Sequence, residues 1–416
     1  MRRAACWRYR KKLFDFIYRF AAFFGRTNGA NVNFTVRNHY VPQWYQHRFF
    51  EAGGNQSLLF YLDLAPDSIP LPAGQTKTRK ALRRLGPVNC FKQDHLYTLT
   101  FGEYATDVIE KKFFGKIDQN GERALKFFAN YTYSDEAHTA FPALCDYMAA
   151  QLFRTPKGLK LLQQLAGTKD HQATLISMQS NWQLYQTIWA EAVWEVFNCR
   201  QSPTKFIVTD APVATYNPAI FPGSEEAKSH GIARMERIGT RVLFPLDREN
   251  CLCLTNLQYV RNPKIDPKKL RENPRYFDQG LFDLRKIQRG RGINESEVIA
   301  LNHILKCSAQ RYIAAAEEEW LYPERSLHQK FWPKIIDRYA LGPDPRKTSF
   351  TTGILTGGGN GRSFGINEYG HTQLDNPRAE KLRKIEWVTF QAAKQAWYER
   401  DRRLGNQPPQ DIKDYW

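Results

Sequence analysis

Apolar positions recur at helical spacing in several long stretches and run together or alternate in shorter ones, and this pattern sets the expected elements. Near the N-terminus, Leu13, Ile17, Phe20 and Phe24 fall on one side of an amphipathic helix. An Asn- and Gly-rich joint over 27–36 follows it. At 39–49 a short helix is expected, with Pro42 in its first turn, Trp44 or Tyr45 and Phe49 on its apolar side, and Gly53-Gly54 as its stop. Longer helical patterns cover 106–128, 141–153, 176–197, 296–319 and 378–404. In the third, Trp182, Tyr185, Ile188, Trp189, Ala192, Val193 and Val196 make an aromatic stripe of the kind that packs a core. Strands are expected at 58–64, 94–99 and 205–209, and a β-hairpin at 241–246 and 251–256 across Asp247-Arg248-Glu249-Asn250.

These elements predict an α+β protein with a mostly helical body and one small antiparallel sheet, which carries the Asp210 segment and the hairpin after it. Four regions are expected: a basic N-terminal extension (1–36), a main α+β domain (37–340), a Gly-rich linker (341–376), and a C-terminal helix and tail (377–416). No apolar run reaches the eighteen or so residues of a membrane span. Asp15 and Arg19 interrupt the N-terminal apolar run, and no small-residue cleavage site follows it, so a signal peptide is not expected.

Charge sharpens the division. The chain of 416 residues carries a net +18, but nine Lys/Arg against Asp15 alone lie in residues 1–38. The body is only mildly basic, so the overall charge does not by itself make it a nucleic-acid grip. Residues 2–24 suit either docking on the body or contact with an anionic surface, lipid or nucleic acid. Within the body, Lys77, Arg79, Lys80, Arg83 and Arg84 form a basic run, read as a solvated face or a phosphate contact. The seven cysteines are scattered without a Cys-x-x-Cys pair, which favours a reducing compartment and a cytoplasmic protein. Cys251 and Cys253 would share one strand face and pack there.

Metal and cofactor motifs are weak. The nine histidines include no His-Glu-x-x-His and no spaced Cys/His set, so the sequence names neither metal nor cofactor. Thr356-Gly357-Gly358-Gly359-Asn360-Gly361-Arg362-Ser363 departs from a phosphate loop at its first Gly and its Lys, and reads as a surface linker. Three places set polar chemistry in an apolar frame: His39-x-x-x-Gln43-x-x-x-x-Arg48, Arg154-Thr155-Pro156 at a helix end, and Asp210-x-Pro212 past a strand. A His–carboxylate pair with two arginines suits phosphodiester chemistry: His39 moves a proton, Asp210 orients it or holds a metal, and Arg48 and Arg154 clamp phosphate. Each residue also has a plain structural use, as a turn cap, a helix-end hydrogen-bond donor or a satisfied half-buried histidine.

The ordered set of motifs resembles a bacterial family described as domain of unknown function 4238. The matching stretches are His39–Phe49 (the His-Tyr-Val-Pro-Gln signature), Asp94–Thr98, Glu110 onward, Arg154-Thr155-Pro156, Phe206–Val213, Phe244-Pro245-Leu246, and Leu301-Asn302 with Arg311. Thr209, Ala211 and Asp247 stand where that family usually has Ser, Asn and Ser. The resemblance covers about residues 36–330 and implies a shared site without naming a reaction.

Two functions are therefore expected from different classes. One is a nuclease or other enzyme acting on phosphodiesters or nucleotides in bacterial conflict or defence, with His39, Gln43, Arg48, Arg154 and Asp210 at its site. The other is a non-catalytic module that binds nucleic acid or another partner, or a peripheral membrane protein, through the basic N-terminal helix. The sequence leaves the oligomeric state open.

Overall fold

A computed structural model of the chain describes residues 37–51, 57–70, 75–97, 99–101, 104–106, 114–190, 192–222, 224–230, 234–235, 237–270, 284, 287–327, 354–357 and 363–366. The N-terminal helix, the boundaries at 341 and 377, and the C-terminal helix all lie outside them.

Along the chain, β1 (Arg37–His39) leads through Pro42 into α1 (Gln43–His47). β2 (Leu59–Asp63) and β3 (Leu82–Leu85) form a hairpin, and β4 (Lys92–Asp94) returns to pair with β1. Four helices follow: α2 (Gly115–Ala129), α3 (Ala137–Phe153), α4 (Pro156–Ala166) and α5 (His171–Ala190). The chain continues through β5 (Ala192–Asn198), β6 (Val208–Thr209), β7 (Ala214–Tyr216), α6 (Glu225–His230), β8 (Arg241–Pro245), β9 (Asn250–Asn256), α7 (Leu257–Arg261), β10 (Gln288–Gly292), α8 (Glu295–Ser308) and β11 (Tyr312–Ala315). The class is α+β. In place of one small antiparallel sheet there are a four-stranded sheet, ordered β6-β11-β2-β3, and a five-stranded one, ordered β7-β8-β9-β5-β10, among other pairs. The larger sheet is mixed, because β10 runs parallel to β5.

Local chemistry fixes the helix ends. Pro156 excludes helical geometry for the residue before it. Thr155 is accordingly extended (φ −76°, ψ 155°), and its hydroxyl caps α4 by accepting from the Gly158 amide (3.0 Å). Gly167 closes α4 with φ 62°, a left-handed conformation that glycine adopts without strain. Asn294 and Glu297 form a reciprocal capping box at the start of α8. The hairpin β8–β9 forms as expected, turning on Asp247, whose Oδ1 accepts from the amides of Glu249 (2.8 Å) and Asn250 (2.7 Å).

Two expected helices end early. The 176–197 pattern stops at Ala190, and Ala192–Asn198 becomes the central strand β5. That strand is buried on both faces, and an unbroken apolar run does not distinguish a core strand from a helix. The 296–319 pattern stops at Ser308, and Tyr312–Ala315 becomes β11, between β6 and β2. The strand expected at 94–99 is instead β4 followed by a turn, with His95 at φ 56°. The Gly-rich stretch contains an antiparallel pair, Ile354–Gly357 with Ser363–Ile366, where a plain linker was expected.

On one face of the larger sheet, Trp194 packs its ring against Phe128 (5.6 Å) and Phe141 (4.7 Å), and Phe244 lies 6.1 Å from Tyr147. This face meets the α2–α3 layer. Asp210 was expected in the hairpin's own sheet. It occupies the crossover between two sheets, since β6 just before it joins the smaller and β7 just after it joins the larger. No described helix is long and apolar enough to cross a membrane.

Candidate functional site

The opening motif docks on the hairpin turn. Tyr45 stacks on Phe244 (5.7 Å between ring centres, 4° between planes), and its hydroxyl donates to the Pro245 carbonyl (2.5 Å). Arg48 donates from Nε to the Leu246 carbonyl (2.6 Å) and from Nη2 to Asp247 Oδ2 (3.2 Å). Two of the sequence motifs are thus each other's partners. Gln43 opens α1 and is half-buried.

His39 points elsewhere. Its half-buried ring donates from Nε2 to the Val88 carbonyl (3.1 Å), on the segment that follows β3. Burial pushes its pKa below the usual imidazole range, the Val88 hydrogen bond opposes this, and Lys92 adds to it. The ring is therefore neutral at pH 7.

Arg154 is sealed in the core, with 1% of its surface exposed. Its Nη1 meets both Asp118 oxygens (2.8 and 3.0 Å), and its guanidinium lies over the rings of Tyr147 (5.4 Å) and Phe114 (5.5 Å). Burial pushes the Asp118 carboxyl up against the pull of Arg154. Tyr97 donates its hydroxyl to the Arg154 carbonyl (2.6 Å). With the Gln151 amide set to satisfy both its ends, it accepts from Arg154 and Tyr147 and donates to the Tyr40 carbonyl (3.2 Å). The Arg154 motif is so tied to the residue after His39.

Asp210 is 3% exposed and accepts from three consecutive amides: Gln310 at Oδ1 (2.8 Å), Arg311 at Oδ2 (2.7 Å) and Tyr312 at Oδ2 (2.9 Å). Burial raises its pKa, and those amides together with Lys157 act against the rise. Lys157, which nothing in the sequence singled out, donates to the Ser308 carbonyl at the end of α8. Burial lowers its pKa to about 8, opposed by Asp210. Lys157 and Asp210 thus hold the turn between α8 and β11 from its carbonyl and amide sides. Asn302 adds a third tie, donating to the Lys205 carbonyl (2.8 Å) and accepting from the Ile207 amide (3.3 Å).

Lys157 and Tyr40 bring Arg154 and Asp210 into one neighbourhood, since both feel the Asp210 charge. Arg48 belongs to the hairpin turn and His39 to the 87–92 segment. Among the described residues no hydrogen bond or ion pair joins any two of His39, Gln43, Arg48, Arg154 and Asp210. Nor is any group of three or more His, Cys, Asp or Glu among them placed to hold a metal ion.

A family model whose description is protein of unknown function (DUF4238) matches residues 37–319. The chain belongs to the DUF4238 family. No curated protein and no solved structure matches it. All the interlocks above fall inside the DUF4238 match, and those of Tyr45, Arg48, Tyr97, Asp210 and Asn302 join segments far apart in sequence.

One further surface lies within the DUF4238 region. β3 is the outer strand of its sheet. The hairpin it forms with β2 continues as Ser68–Pro70 paired with Thr76–Thr78, with five residues (63–67) on one arm against three (79–81) on the other between Leu62↔Leu82 and Ser68↔Thr78. Along this arm Lys77, Arg79, Lys80, Arg83 and Arg84 are exposed, and among the described residues none forms an ion pair. Arg84 lies over Phe60 (4.8 Å) and Arg83 over Tyr61 (6.0 Å), so aromatic faces back both cations.

Proposed function

We propose that this DUF4238 protein binds nucleic acid through the basic outer arm of its four-stranded sheet, with the family motifs acting as the frame that holds the arm. The observation that carries this reading is the row of five exposed cations from Lys77 to Arg84, two of them backed by aromatic rings. A charged outer strand also discourages edge-to-edge pairing. That role needs one or two charges; Asp67, the carboxylate near Arg79, is bound to Arg311 at 2.8 Å, and five cations that form no ion pair among the described residues suit a phosphate backbone. The motif residues Arg48, Arg154 and Asp210 spend their hydrogen bonds on other parts of the fold, as a frame would. The scattered cysteines, with no Cys-x-x-Cys pair, support a reducing compartment such as the cytoplasm for this activity.

A catalytic reading of the same surface, cleavage of the bound phosphodiester in bacterial conflict or defence, draws on one observation. His39 is held against Val88 in the segment that follows the arm, where a neutral imidazole can accept a proton beside bound phosphate.

The test is fluorescence anisotropy of the full chain with labelled RNA, single-stranded DNA and duplex DNA. Charge reversal of Arg83 and Arg84 to Glu is expected to weaken binding at least tenfold. Equal affinity in that variant overturns the arm as the contact. Binding only to anionic vesicles assigns the surface to lipid instead. Cleavage that survives His39→Ala rejects the catalytic role of the histidine.

A further inference from the structure

A second cationic group is placed very differently from the arm. Arg241, the first residue of β8, is 5% exposed, and its Nε and Nη1 have no hydrogen-bond partner. A guanidinium cannot shed its proton to escape burial, so a buried one calls for a counter-charge. Cross-strand pairing puts Arg241 between Tyr216 on β7 and Thr255 on β9, with all three side chains on one face of the sheet. This face lies opposite the one that packs on the helices. Farther along the same face, Glu195 on β5 is committed to Arg291 at 2.7 and 3.4 Å. Among the described residues Arg241 thus forms no ion pair, and its cross-strand neighbours Tyr216 and Thr255 are hydroxyl residues.

We propose that Arg241 is the base of a binding site for a phosphate group. Its donors and the Tyr216 and Thr255 hydroxyls stand on one face of three adjacent strands, at directly paired positions. Four donors on a rigid sheet match the several acceptor oxygens of phosphate better than the two of a carboxylate. Burial pushes the Tyr216 phenol up to about 12, against the pull of Arg241, so it keeps its proton and remains a donor at neutral pH. Half-buried Tyr259 on α7 lies close enough to affect the Tyr216 phenol, which puts an aromatic ring beside the site. A phosphate carried on a nucleoside could stack there, whereas free phosphate would not use the ring.

The experiment is isothermal titration of the full chain with inorganic phosphate and with adenosine monophosphate, at constant ionic strength against chloride. One saturable site is expected, weakened at least tenfold in Arg241→Met and by less in Arg241→Lys, which keeps a charge but loses the planar fork. The Arg83/Arg84 double substitution to Glu should leave this site intact, which separates it from the proposed nucleic-acid arm. Tighter binding of the nucleotide identifies the ligand as a mononucleotide, and equal binding identifies free phosphate. Absence of saturable heat from both ligands, or equal binding by Arg241→Met, overturns the proposal. Melting in phosphate-free buffer gives a second readout. Arg241→Met should melt no lower than wild type, because it removes a charge without a partner. A large drop would show that the fold itself satisfies Arg241.

Discussion

Arg154 and Asp118 meet at 2.8 Å with unequal burial: the guanidinium is enclosed, while the carboxylate side chain keeps about a quarter of its surface in solvent. The two ends of this pair should therefore respond differently to mutation. Asp118→Ala strands a buried cation, and removal of one partner from a buried pair costs about 3–5 kcal/mol. Arg154→Met leaves a carboxylate that can turn toward water, so its cost should be smaller, about 1–3 kcal/mol. Urea unfolding of both single variants and the double variant checks the order, and the double should be milder than the sum.

Asp210 should behave as a structural acceptor. Asn in its place keeps the shape but turns an NH2 group toward backbone donors that the second carboxylate oxygen now serves. Loss of charge-assisted hydrogen bonds with an unsatisfied donor left behind costs about 2–4 kcal/mol. The measurement is denaturant midpoint for Asp210→Asn. A variant that keeps full stability but loses an activity would move Asp210 from the frame to the chemistry.

What was legible in the sequence follows from how local each cause is. The end of the 141–153 helix before Thr155-Pro156 was legible because φ constraints act within a few residues, whereas α4 beyond it was not expected although Thr155 and Gly167 mark its two ends. The hairpin at Asp247 is readable for the same reason. β5 was not, because burial on both faces erases the alternation that marks a strand. Asp210 was marked as special, yet its partners lie 100 to 102 residues downstream, and no spacing rule reaches that far. Asp118, 36 residues from Arg154, sits in a helix where an acid is unremarked. Arg241 reads as an ordinary strand residue until both its neighbouring strands are in place.

Lys157 gives a pH dependence with a definite sign. Its pKa is lowered from 10.5 to about 8 in the fold, so between these values the unfolded chain holds a proton that the native state has released. Stability therefore rises with pH across about 8 to 10.5, and below 8 the charged ammonium costs the fold a constant amount. Lys157→Met removes this term while leaving the other titrating groups. The difference in melting temperature between wild type and variant should accordingly change between pH 8 and 10.5, moving in favour of wild type. A difference that stays flat over that window would mean that Lys157 titrates normally.

The basic arm makes a prediction about salt rather than affinity. Each cation that neutralises a phosphate releases condensed counterions, and log K falls with log salt by roughly 0.9 per contact on duplex DNA and 0.7 on single strands. Replacing Arg83 and Arg84 with Gln removes two such contacts without introducing repulsion. The slope should then shrink by roughly 1.8 on duplex or 1.4 on a single strand. The loss should be similar for unrelated sequences, because backbone contacts carry no base information. Both arginines lie over aromatic rings, so a part of their contribution could come from a base stacked on the guanidinium plane. That part survives high salt. A substitution that lowers affinity while leaving the slope unchanged would therefore assign these residues to stacking, and Gln at both positions with neither effect would remove them from the interface.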